Sequence, residues 1–207
     1  MIRLYKTPPI TKWLYPQRVW SLNSSSSIYL TFDDGPNPEV TPWVLDQLNQ
    51  IGAKATFFCL GKNIERNQSL AKDVLSSGHL LSNHGFNHLN GWRTSDEEYV
   101  SDVKKGDQVL RELGVQTEMF RPPYGRIKSS QARMLGKQII MWSHLSWDFD
   151  HSLDVCGSLS SLKKAKTGSI LTFHDSSKAF RNLRMLLPEL LRHFDKCKIK
   201  LTTLDND

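Results

Sequence analysis

Cysteine is scarce in this chain, and what there is forms no pattern. Cys59, Cys156 and Cys197 are odd in number and far apart in 207 residues. That excludes a disulfide framework and a C-x-x-C zinc spacing. Cys59 lies in the apolar run 55–60, where a buried free thiol is the expected state. Long hydrophobic runs are missing too, and no segment is long enough to span a bilayer. The stretch up to Trp20 has no continuous apolar centre, because Pro8, Pro9, Lys12, Pro16 and Arg18 interrupt it, so it does not read as a secretory signal. Low complexity is confined to residues 24–27, and no internal repeat stands out. These absences favour a cytoplasmic location, with envelope association left open.

What is present is an ordinary globular composition. Apolar residues make 39% and charged residues 23%, which suits one soluble domain with a sizeable core. The net charge is +6, but Lys and Arg are scattered among apolar residues and read as solvated faces. No basic-aromatic recognition motif appears, so nucleic acid is not an expected partner. A weak attraction to an anionic envelope surface fits the charge. Residues 1–27 read as a basic, aromatic extension packing on the domain, and 28–207 as the domain itself, expected to be a monomer.

From residue 28 onward, strand-like and helix-like segments alternate. Strands are expected over 28–32, 54–60, 80–82, 117–120, 138–142, 169–173 and 199–201. Helices are expected from Thr41, with Thr41 as N-cap and Pro42 at the first helical position, and over 63–77, from the Ser95-x-x-Glu98 capping box to Gly114, and over 129–136, 155–166 and 180–194. Such alternation implies βαβ units and a parallel sheet. About seven strands with about seven helices suit an α/β fold of the distorted, trimmed (β/α) barrel type, a single domain shorter than the usual eightfold barrel.

The unusual polar residues fall at the carboxyl ends of these strands, the face where barrel enzymes place their chemistry. Asp33 and Asp34 follow the first strand, His84 and His88 the third, and Arg121 to Gly125 the fourth. Asp148 follows the fifth and His174 the sixth. Adjacent residues at a strand end point to opposite faces, so Asp33 and Asp34 can take different tasks. His84 and His88 are four apart and can share a face. Two histidines and a carboxylate make a three-ligand site for a divalent ion with room for water. Non-haem iron uses the same set, so the ligands alone do not choose the metal.

These residues also carry a family resemblance. Thr31-Phe32-Asp33-Asp34-Gly35-Pro36, Asn83-His84-Gly85-Phe86-Asn87-His88, Arg121-Pro122-Pro123-Tyr124, Asp148-Phe149 and Leu171-Thr172-Phe173-His174 resemble, in order, the five motifs of the polysaccharide deacetylases of carbohydrate esterase family 4. The resemblance implies that Asp34, His84 and His88 bind a divalent metal, usually zinc, with cobalt or nickel as alternatives. It implies Asp33 as general base, Arg121 as its holder, and the Tyr124 main-chain N–H as an oxyanion donor. His174 would be the general acid, oriented by Asp148. Phe149 and Leu171 would line the pocket for the acyl methyl, Pro123 would sit beside it, and Trp147 is the best candidate for a sugar-stacking platform. The implied reaction is metal-dependent removal of N-acetyl groups from an amino-sugar polymer or oligosaccharide, chitin-like or peptidoglycan-like. An O-acetyl esterase acting on a polysaccharide such as xylan, or a non-catalytic carbohydrate-binding barrel, are the alternatives.

Three positions depart from the family pattern. Gly85 stands where a Ser or Thr hydroxyl usually braces the loop between the histidines. Leu145 replaces an additional Asp, and Phe149 replaces a Trp. No proposed catalytic group is lost. Asp175 is expected as a helix N-cap, Trp142 as core, and His79, His144, His151 and His193 as structural.

Overall fold

The computed structural model describes residues 3–204; the first two residues of the extension and the last three of the domain lie outside the described residues. Eight parallel strands form one sheet: β1 (Ser27–Asp33), β2 (Thr56–Cys59), β3 (Leu80–Asn83), β4 (Met119–Phe120), β5 (Gln138–Ile139), β6 (His144–Leu145), β7 (Ile170–His174) and β8 (Lys200–Thr202). Seven run in the order β5-β4-β3-β2-β1-β7-β6, and β8 pairs with the first half of β1. The described residues hold eight α-helices, α1 ahead of the first strand and the other seven between strands: α1 (Pro9–Leu14), α2 (Thr41–Asn49), α3 (Gly61–Arg66), α4 (Gln68–Ser76), α5 (Asp96–Glu112), α6 (Ser129–Leu135), α7 (Val155–Leu162) and α8 (Phe180–Lys196). The fold is a distorted, incomplete (β/α) barrel in a single domain.

Every residue of β1 is buried, as expected for a strand covered on both faces. Phe32 stacks between Phe57 and Phe173, with ring centroids 5.0 and 5.9 Å apart. Leu183, Leu186, Leu187, Leu190 and Phe194 of α8 are buried in the same cluster. β5 and β6 do not pair with each other, and the N-terminal segment threads between them. Thr7 N donates to Ser143 O and Leu145 N to Tyr5 O, both at 2.9 Å; Val19 N donates to Ile139 O and Met141 N to Val19 O, at 2.9 and 2.7 Å. Each of these satisfies a sheet-edge group that would otherwise need water.

Several elements differ from the sequence expectation. The helix expected over 63–77 is two, broken at Asn67 (φ −136°, ψ 48°), whose amide donates to Asn63 O. Thr41 lies inside α2 rather than capping it. Its hydroxyl accepts from Asn37 N and donates to Asp175, and Val40 holds the cap position. The strand expected over 138–142 is shorter, and β6 follows it, a two-residue strand too short for any periodicity to announce. Asp148 therefore follows the sixth strand, not the fifth. Helix α7 stops at Leu162, four residues early, whereas α8 continues past Pro188 to Lys196. Ser95 does cap α5, accepting from Glu98 N at 3.2 Å.

Candidate active site

Parallel pairing puts the ends of neighbouring strands on one rim. Asp33 is in register with His174 across β1 and β7. Asp34 follows with φ 83°, and Gly35 next to it approaches Asp175 so closely that a Cβ would lie 2.0 Å from a carboxylate oxygen. Gly35 N and the Thr41 hydroxyl both donate to that carboxylate. Asp175 is thus a fully buried latch between the turn after β1 and the end of β7, not a helix N-cap. Burial raises its carboxyl to about 8, against the Thr41 hydrogen bond, with the Asp34 charge adding to the rise.

Asp33 and its surroundings form a closed set of partners. Arg121, with no exposed surface, donates from Nη1 to Asp33 Oδ1 at 2.7 Å and to Thr31 Oγ1 at 2.6 Å. Its Nη2 donates to Met141 O, and its guanidinium lies 4.1 Å from the Phe58 ring centroid. Opposite, His174 Nδ1 meets Asp148 Oδ1 at 2.7 Å, while His174 N donates to Asp148 Oδ2. Burial opposes the charged imidazole, but Asp148, then Asp34 and Asp33, outweigh it and raise His174 to about 9.

Asp34, His84 and His88 form a different kind of cluster. Among the described residues they are the one group of three whose ligand atoms converge as a metal site requires, all within 4.8 Å of one another. His84 Nδ1 sits 2.7 Å from the Arg121 carbonyl. A carbonyl only accepts, so Nδ1 carries the proton and Nε2 of the neutral ring presents a lone pair. Burial pushes His84 down to about 4, which keeps it neutral. That lone pair and His88 Nε2 lie 3.7 and 3.3 Å from Asp34 Oδ1, a buried oxygen with no hydrogen-bond donor. Burial alone would raise the Asp34 carboxyl, but His88, His174 and His84 outweigh it and hold it below the usual carboxylate range. Acceptors that converge with no donor among them fit a cation, and buried acceptors are otherwise costly.

The loop between the two histidines is braced by a residue that the sequence reading did not single out. Asp102, on α5, accepts from Phe86 N at 2.8 Å, Asn87 N at 3.1 Å and Asn87 Nδ2 at 2.9 Å. A Cβ on Gly85 would lie 3.0 Å from Asp102 Oδ2, and Gly85 has φ 81°. A carboxylate from another helix therefore stands where a local hydroxyl would brace the loop. Asn83 adds to it, accepting from Gly85 N at 2.6 Å. The Ser95 cap fixes the start of α5, but no local spacing links Asp102 to the histidines.

A cleft of about 860 Å³ opens over both clusters. Asp33, Asp34, His84, His88, Tyr124, Trp147, Phe149 and His174 line it; Arg121 and Asp148 lie behind. Tyr124, at φ 60°, packs edge-on to His88 with ring centroids 4.5 Å apart. Phe149 stands edge-on to His174 at 4.9 Å and beside Trp147 at 5.5 Å. Leu171 and Pro123 do not reach the cleft lining. Leu171 points into the main core with no exposure; Pro122 and Pro123 are both buried, and of the two only Pro122 touches the cleft. Leu145 and Trp142 line it instead; Trp142 is half-buried, packing against the core cluster of Phe120 and Met141 while it faces the cleft. Leu4, Thr7, Pro8 and Thr11 of the N-terminal segment form one wall, and Trp147 Nε1 donates to Leu4 O. His79 and His144 are buried away from the cleft; His79 Nδ1 accepts from Ala55 N.

The family model for polysaccharide deacetylase matches residues 22–139. The chain belongs to the polysaccharide deacetylase family. It is 37% identical over 177 residues to a peptidoglycan-N-acetylglucosamine deacetylase of Bacillus cereus, covering 81% of this chain and 83% of that one. It is 35% identical over 156 residues to a Listeria monocytogenes peptidoglycan-N-acetylglucosamine deacetylase, covering 75% of this chain but only 34% of that longer protein. The crystal structure of the Bc1960 peptidoglycan N-acetylglucosamine deacetylase superposes with a TM-score of 0.85 at 28% identity, covering 96% of this chain and 95% of the other.

Proposed function

We propose that this polysaccharide deacetylase-family barrel is a metal-dependent amidohydrolase that removes N-acetyl groups from a chitin-like or peptidoglycan-like amino-sugar polymer or oligosaccharide. The observation that carries the reading is the donorless Asp34 Oδ1 facing the Nε2 atoms of His84 and His88, next to an Asp33 already held by Arg121. The relatives named as deacetylases of N-acetylglucosamine support the substrate class.

A divalent cation, zinc by family habit, would be held by Asp34, His84 and His88 and would polarise the amide carbonyl and acidify water. Asp33 takes the proton of the attacking water. Arg121 holds and aims the Asp33 carboxylate, and removing that cation would leave a buried charge uncompensated, at a cost of about 3–5 kcal/mol. The Tyr124 main-chain N–H donates to the oxygen that gains charge in the tetrahedral state, a contribution of about 3 kcal/mol. His174, kept protonated by Asp148, passes its proton to the departing amine nitrogen, which makes the amine a competent leaving group. Phe149 and Leu145 offer the acetyl methyl an apolar wall, and Trp147 offers a sugar ring a flat face.

The test is acetate release over a panel of chitin oligomers, peptidoglycan fragments and acetylxylan, with the protein stripped by chelator and then reloaded with zinc, cobalt or nickel. Release from the N-acetylated sugars that vanishes on stripping and returns on reloading is expected. Release from acetylxylan alone would turn the assignment to an ester substrate. Sugar binding with no acetate from any member, and no metal retained, would leave a carbohydrate-binding barrel.

A further inference from the structure

Left-handed backbone collects at this cleft. Asp34, His88, Tyr124 and Trp147 all line it and all have positive φ, between 59° and 83°. Side chains other than glycine seldom occupy that region, and they stay there where surrounding contacts over-determine it. For Asp34 those contacts are specific. The peptide unit that joins it to Gly35 is held at both ends by side chains from elsewhere in the fold. Asn63, on α3, donates from Nδ2 to the Asp34 carbonyl at 2.7 Å, and Asp175, just after β7, accepts from Gly35 N at 3.0 Å. The neighbouring groups are tied by main chain: Asp34 N donates to Phe58 O at 3.2 Å, Leu60 N to Gly35 O at 3.1 Å and Asp175 N to Asp33 O at 3.1 Å. The second Asp175 oxygen accepts from the Thr41 hydroxyl, which itself accepts from Asn37 N, so the carboxylate is fixed in turn.

Neither residue has a place in the proton transfers. Asn63 does not titrate, and Asp175, with no exposed surface, does not reach the cleft lining. What they share is one peptide plane. Rotating that plane changes the ψ angle of Asp34, and with it the direction from which the carboxylate meets His84 and His88. Asp34 Oδ1 lies 3.7 and 3.3 Å from their Nε2 atoms, and outer partners that aim a ligand matter to a metal site nearly as much as the ligand itself. We propose that Asn63 and Asp175 are positioning residues for the metal, which together grip the Asp34–Gly35 peptide and lock the Asp34 carboxylate in its ligating direction. Asp175 follows His174, so the same grip ties the ligand to the strand that carries the acid. This rests on the metal-dependent reading of the site and adds two residues that the reaction itself does not use.

The test is the zinc affinity of the full chain, by competition with a chelator, together with the visible spectrum of the cobalt-loaded protein, which reads ligand geometry apart from any turnover. Asn63→Ala and Asp175→Ala should each weaken zinc about tenfold or more and shift the cobalt bands. Each frees the same peptide, so the double variant should lose much less than the product of the two single losses. Asp175→Asn keeps an acceptor for Gly35 N and should bind zinc close to the wild-type level. Wild-type affinity with an unmoved cobalt spectrum in either single variant, whatever its unfolding midpoint does, makes that residue structural only and overturns the proposal. So does a double variant whose loss equals the product, or an Asp175→Asn as weak as Asp175→Ala, which would trace the effect to charge and not to the grip. If Asp175→Ala does not fold, the half-buried Asn63→Ala decides by the same two readouts. A wild-type chain that retains no zinc sinks the metal reading and the proposal with it, whereas zinc binding by the wild type beside unaffected variants sinks the proposal alone.

Discussion

Two polar clusters sit side by side on the rim of this barrel, and they differ in whether their partners are already present. Around Asp33, every group is answered: Arg121 bridges Asp33, Thr31 and the Met141 carbonyl, and Asp148 holds both the ring and the main chain of His174. Around Asp34, acceptors face acceptors, with Asp34 Oδ1 buried and undonated beside two imidazole nitrogens. The first cluster is self-sufficient and is built to hold charge and protons in place. The second gathers three ligand atoms that no protein donor answers, an arrangement that suits a cation. Adjacent aspartates have opposite surroundings, one pointing to an arginine and the other to lone pairs.

The sharpest break of this contrast is Asp33→Asn. It keeps the shape and the Arg121 contact but removes the proton acceptor, so turnover should fall about 10²–10⁴-fold while metal content, measured by atomic absorption, stays at the wild-type level. Loss of the metal together with turnover would mean that the two clusters are not separate. Arg121→Met comes next. It leaves Asp33 buried without its cation, and denaturant unfolding should show a loss of about 3–5 kcal/mol. A wild-type unfolding midpoint for that variant would contradict the self-sufficient picture.

Asp148→Asn tests the other half of the closed cluster. His174 is raised to about 9, so its charge contributes stability that is present below its ordinary value and is lost as pH rises through about 9. Deacetylation that needs the protonated ring should decline over the same alkaline range. Without the Asp148 charge that limb should move to lower pH by about one unit or more, a difference of about 1.4 kcal/mol per unit; an unmoved pH profile would remove His174 from the acid role. The smallest effect belongs to the brace of the open cluster. Asp102→Asn keeps one acceptor but loses the charge that gathers the Phe86 and Asn87 donors, and zinc affinity by titration calorimetry should drop about tenfold. An unchanged affinity would show that the histidine loop holds itself.

Much of this architecture was legible residue by residue. The run into Asp33-Asp34, the alternation of strand and helix, and the carboxyl-end placement of Arg121 and His174 all follow from short-range pattern, and seven of the eight strands and the Ser95 cap appear where that pattern puts them. What escaped has a common cause. β6 is two residues long and exists because its neighbours pair with it, not because His144-Leu145 prefers a strand. Asp175 looked like a cap because only tertiary packing brings Gly35 and Thr41 to it. Leu171 and Pro123 sit in motifs that belong to the site, yet the pleat turns Leu171 into the core and the turn presents Pro122 instead. Asp102 has no local signature at all, since its partners lie on the histidine loop, about 15 residues back in the chain.

The sequence by itself determined the parallel α/β barrel, the identity of its chemical groups and the rim on which they gather, because side-chain alternation and strand order act through neighbours in the chain. The tertiary structure alone decided which of those groups are satisfied and which are left open. Burial and hydrogen-bond pairing are properties of what surrounds an atom in space, and so it is the fold that holds Asp33 against Arg121, leaves Asp34 facing two histidines, and closes Asn63 and Asp175 on the peptide between Asp34 and Gly35.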